Sequence, residues 1–75
     1  MEKGMLHLAR YHCGEDLFVD VVQEDTGRPV KQDYWLCDKG SNCMRFMFSR
    51  SFRTEEQEMD SIRRFVQNYR AQTAV

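Results

Sequence analysis

Apolar and polar positions along this chain follow two different periods. From Cys43 to Ser51 (CMRFMFSRS) they alternate at period two, the signature of a strand. From Thr54 to Arg70 (TEEQEMDSIRRFVQNYR) they place Met59, Ile62, Phe65, Val66 and Tyr69 on one helical stripe. The change falls at Phe52-Arg53-Thr54, with no Gly or Pro between the two patterns. Three strand-like runs come earlier. Met5–His12 (MLHLARYH) alternates poorly, and Leu17–Gln23 (LFVDVVQ) is the clearest by its β-branched content. Gln32–Cys37 (QDYWLC) completes the set. Cys13-Gly14-Glu15-Asp16, Asp25–Pro29 and Asp38–Asn42 carry the turn residues that separate these runs. Short links between successive strands favour antiparallel neighbours. The expected fold is therefore α+β: a four-stranded antiparallel β-meander followed by one C-terminal amphipathic helix (ββββα), as a single domain over residues 1–75 with 1–4 and 71–75 frayed.

Thr54 followed by Gln57 reads as a capping box that starts the helix. Glu55, Glu56, Glu58 and Asp60 sit near its positive end and Arg63, Arg64 and Arg70 toward its negative end. The last hairpin admits two registers. With Cys37 opposite Cys43, the helix receives a platform of Tyr34, Leu36, Met44, Phe46 and Phe48, and this is the expected one. With Asp38 opposite Cys43, Trp35 and Cys37 join Met44 and Phe46 instead, because a slip of one residue exchanges the faces. The expected core is Leu17, Val19, Val21, Tyr34, Leu36, Met44, Phe46 and Phe48 under Met59, Ile62, Phe65, Val66 and Tyr69.

Composition narrows the function without naming it. The chain is 41% apolar and 31% charged, which suits a folded domain and not a disordered one. No apolar run is long enough to span a membrane, and MEKGMLHLAR lacks the apolar stretch of a signal peptide. Three cysteines, an odd number, read as reduced thiols, so the expected location is cytoplasmic. Net charge is −1, but residues 1–43 carry −3 while residues 44–75 carry +2, with arginine as every cation of that second part. Guanidinium groups suit carboxylate and phosphate recognition.

No nucleophile elbow, phosphate loop or zinc-protease motif occurs, and a single helix on a small sheet leaves little room for a water-excluding pocket. Catalysis and a cofactor are not expected. His7, His12, Cys13, Cys37 and Cys43 offer zinc-type ligands, but five residues separate Cys37 from Cys43 and knuckle spacing is absent. The register that sets these two cysteines opposite each other also permits a cross-strand disulfide. Two binding readings remain. In the first, the sheet face turned away from the helix carries Phe18, Val22, Trp35 and Met47 with few charges, and a protein partner or a second copy covers it. In the second, Arg45, Arg50, Phe52, Arg53, Arg63 and Arg64 form an Arg/aromatic patch that contacts nucleic acid. Strands followed by a Thr54-capped helix also resemble, in topology alone, the arm-binding domains of phage-type integrases, whose Lys-rich strands have no counterpart here.

Overall fold

Strands β1 (Met5–His12), β2 (Leu17–Glu24), β3 (Gln32–Asp38) and β4 (Cys43–Arg50) pair in chain order as one antiparallel sheet. Helix α1 (Glu55–Thr73) follows. The computed structural model describes residues 5–24 and 32–73; the expected break at Asp25–Pro29 and the ends at 1–4, 74 and 75 lie outside them. The shortest dimension is 17 Å, the thickness of one sheet and one helix, so the fold has two layers. The ββββα architecture expected from the two periods is the one observed.

The two tight turns lie at the same end of the sheet, where Lys39 N–H donates to the Asp16 carbonyl at 2.8 Å. Asp38 builds the β3–β4 turn: its Oδ1 accepts from Gly40 N at 3.0 Å and Ser41 N at 3.3 Å. The local side-chain acceptor lets the chain reverse, and Asn42, a residue that tolerates left-handed backbone, takes φ 55°.

The hairpin register differs from the expected one. Asp38 pairs with Cys43, Cys37 with Met44 and Trp35 with Phe46; then the register shifts so that Tyr34 pairs with Phe48. Met47 is the extra residue of a β-bulge. Consequently Met44 and Phe46, expected in the core, stand outside it at 63% and 45% exposure. Met47, expected on the outer face, is buried at 8%. The bulge turns Met47 and Phe48 in succession toward the helix, a solution that strict alternation does not contain. Cys37 and Cys43 no longer oppose each other, and Cys13, Cys37 and Cys43 are free thiols.

The core otherwise follows the sequence pattern. Leu17, Val19, Val21, Tyr34 and Leu36 meet Met47 and the Ile62, Val66 and Tyr69 stripe, with Phe48, Met59 and Phe65 packed alongside. Thr54 Oγ1 accepts from Gln57 N at 3.2 Å and caps the helix as expected. The helix runs past Arg70, where fraying was expected, to Thr73. Ala71 and Gln72 are adequate helix formers, and Gln72 Oε1 accepts from Arg45 at 3.5 Å.

Polar contacts lock the helix at both ends. The Glu58 carboxylate accepts from Tyr11 Oη at 3.1 Å and from the Tyr34 hydroxyl. Tyr69 Oη donates to Asp38 Oδ2 at 2.7 Å, and Arg70 donates to the Cys13 carbonyl. A hydroxyl donating to a carboxylate is a charge-assisted hydrogen bond, about twice as strong as a neutral one. Burial, then the hydrogen bond to the Glu58 carboxylate, pushes the Tyr34 and Tyr11 phenols up from their ordinary value of 10.0.

Candidate interaction surface

The sheet face turned away from α1 divides into two halves. Over β2 its outward ring and acid, Phe18 and Asp20, are covered by neighbouring side chains, while Leu6 and Leu8 of β1 are 47% and 44% exposed. Phe18 faces outward yet is only 9% exposed. His12 meets it edge-on with centroids 4.6 Å apart, Lys39 Nζ sits 4.7 Å from its centroid, and the Arg10 guanidinium lies 5.6 Å away. Long cationic side chains lie along apolar surface while keeping their charge in water, so together with His12 they cover the ring.

Next to Phe18, Asp20 is buried at 8% among apolar neighbours of β2. Its carboxylate accepts from Arg10 Nε at 2.6 Å and Arg10 Nη2 at 3.0 Å, a two-point contact. His7 Nε2 lies 3.3 Å from Oδ1, and the Cys37 thiol donates to Oδ2 at 3.5 Å. The Arg10 hydrogen bonds outweigh burial and hold the Asp20 carboxyl below its ordinary value of 3.8. Burial and the Asp20 hydrogen bond both push the Cys37 thiol up, which makes it a poor nucleophile. Asp20 is thus an acid paired within the fold.

Over β3 and β4 the same face is bare. Trp35 packs edge-on against Phe46 at 5.2 Å between centroids, and Met44 stands beside Cys37 on the pairing strand. Met44 leaves most of its surface to water and Phe46 a little under half, and Trp35 is half-buried. Of the four residues expected to form a protein interface, Trp35 and the half-buried Val22 lie on this face, Phe18 lies on it under its cationic cover, and Met47 is in the core. Met44 and Phe46 take the place assigned to Met47. The missed signal is the bulge itself, which leaves no composition cue in CMRFMFSRS.

The arginine set is dispersed. Arg45 lies on the helix side, 5.2 Å from the Tyr69 centroid, and Arg64 pairs with Asp60 at 3.3 Å. Arg50 lies over Phe48 at 5.4 Å, while half-buried Phe52 is edge-on to Tyr34 and Phe48. Arg53 is exposed at the strand-to-helix junction and Arg63 is exposed on the helix. Phe52 and Arg53 line one hollow at that junction together with Glu55 and Glu58. The zinc-type residues are also separated: His12 and Cys37 lie on the open face, while Cys13 packs against the core under the helix. Exposed Cys43 pairs with Asp38 at the turn end of β4. No group of three or more His, Cys, Asp or Glu that could hold a metal forms among the described residues.

No described helix is long and apolar enough to cross a membrane. Comparison of the chain with protein-family models, curated proteins and solved structures finds no match.

Proposed function

We propose that this chain is a non-catalytic protein-interaction module of the cytoplasm that binds through the bare half of its open sheet face, with a second copy of itself as first partner. The exposure of Met44 and Phe46 beside Trp35 carries this reading. Fully covering a side chain of this size stabilises by about 1.5–3 kcal/mol, so a partner on this patch gains from several neighbouring groups at once. Trp is also among the residues that most often anchor interfaces. In the adjoining half, Phe18 already has Lys39, Arg10 and His12 over it.

Light scattering at micromolar concentration tests the proposal. The expected result is a dimer that Phe46→Asp converts to a monomer with an unchanged circular dichroism spectrum. A strictly monomeric chain whose Met44 and Phe46 resonances do not respond to concentration would remove the self-association reading. The competing function, nucleic-acid binding through Arg50 and Arg53, predicts retention on single-stranded DNA that falls steeply with salt. Retention of that kind, lost in an Arg50→Ala/Arg53→Ala variant, would replace the proposal.

A further inference from the structure

A second surface lies on the other layer of the fold. Between β1 and α1 runs a groove of about 390 Å³. Met59, Ile62 and Val66 form its apolar floor. Arg63 and Arg70 line it beside Tyr11 and Cys13, and no carboxylate does. Of the neighbouring acids, Glu58 is already held by Tyr11 and Tyr34, Asp60 pairs with Arg64, and Glu56 lies with Arg63 along a separate hollow. Arg70 is engaged with the Cys13 carbonyl, but exposed Arg63 has no ion-pair partner among the described residues.

The wall opposite the helix is an edge strand. β1 pairs with β2 alone among the described strands, so its other side presents backbone donors and acceptors with no strand against them. The register irregularity of β1 falls between His7 and Ala9, which leaves Ala9–His12, beside the groove, as regular strand. An edge strand flanked by a helix-lined groove is the geometry in which an extended peptide adds a strand: the backbone supplies affinity and alternate side chains supply specificity. The charge of the groove selects among such peptides.

We propose that this groove receives an extended acidic peptide that pairs with Ala9–His12 as a fifth strand, lowers an apolar side chain onto Met59, Ile62 and Val66, and sets a carboxylate against Arg63. The proposal shares with the reading above only its class, binding rather than catalysis. It uses a different strand, a different face and a different partner chemistry.

The test pans a random peptide display library against the full chain, then titrates fluorescein-labelled synthetic copies of the recovered sequences by anisotropy. The expected sequences alternate apolar residues and contain Asp or Glu. Arg63→Glu should weaken their binding about tenfold, and a Glu→Lys change in the peptide should recover part of that loss in the same variant. Gln67, which also lines the groove, lies on an exposed helix position, so Gln67→Trp fills the groove without touching the core and should abolish binding. Amide hydrogen exchange across Ala9–His12 should slow when peptide is bound. Recovery of no binder, or of basic sequences only, would overturn the proposal. So would binders that Phe46→Asp weakens and Arg63→Glu leaves alone, a result that keeps the open-face reading. Peptide binding here by a chain that never self-associates would support the groove and remove the dimer.

Discussion

The two halves of the open sheet face have the same backbone and opposite finish. On β1 and β2, a large ring and a carboxylate face outward and are both sealed, Phe18 by Lys39, Arg10 and His12, and Asp20 by Arg10, His7 and Cys37. On β3 and β4, Trp35 and Phe46 meet edge-on with no cation over either ring among the described residues, and Met44 stands open. Arg10 serves both sealed groups, since it is the guanidinium beside Phe18 and the donor to Asp20. A sheet with one helix need not leave its second face to water. A few long side chains can close it, and where they are lacking the surface remains open to a partner.

The largest expected effect separates the two halves directly. Phe18→Ala should destabilise by about 3 kcal/mol in urea unfolding, a core-like cost, whereas Phe46→Ala should cost the monomer under about 1 kcal/mol. Equal costs would erase the distinction. Next in size is Asp20→Asn, which leaves the Arg10 contact without its charge and should cost about 1–2 kcal/mol. Because the folded-state pKa of Asp20 is depressed, its contribution is fully present above about pH 4 and fades as pH falls through the lower folded value. Wild type should therefore lose more stability than Asp20→Asn between neutral and acid pH.

Tyr34→Phe, on the helix side, should cost about 1 kcal/mol through loss of its bond to Glu58. The sign of its pH dependence is the reverse. The folded pKa of Tyr34 is raised, so its contribution is intact below pH 10.0 and is lost as pH climbs toward the folded value. The variant should show a shallower alkaline limb in thermal unfolding. The smallest effect on stability is that of Lys39→Ala, within about 0.5 kcal/mol, yet it should uncover Phe18 and raise binding of a hydrophobic dye. No rise in dye binding would show that the remaining cations suffice.

Much of this architecture is legible in the sequence because periodicity reports burial. The stripe Ile62, Val66 and Tyr69 and the alternation of Leu17, Val19 and Val21 have one reading each, and both reach the core. The Thr54 cap is legible for the same reason: the donor it satisfies is local. The β4 side chains are not legible. Phe46, Met47 and Phe48 are all large and apolar, so hydropathy cannot say which of them is the inserted residue. The Asp20 contacts are hidden in another way. Arg10 and His7 reach it across a strand pair, and Cys37 reaches it from β3, so its environment depends on cross-strand register and not on its neighbours in the chain. The tyrosine–carboxylate locks of the helix share that dependence, joining Tyr11 and Tyr34 to Glu58 and Asp38 to Tyr69 over long stretches of chain.

The bulge at Met47 also splits β4 into two parities. Before it, odd-numbered positions such as Arg45 turn toward the helix; after it, even-numbered positions such as Phe48 and Arg50 do. Removing Met47 from the chain would bring the strand back into step without moving Phe46 or Phe48 to the other side. Loss of Arg45 instead would put the turn side of the strand out of phase with β3. At this one site, chain length can change by a residue and be felt as a missing side chain, whereas elsewhere in the strand it acts as a frameshift in space.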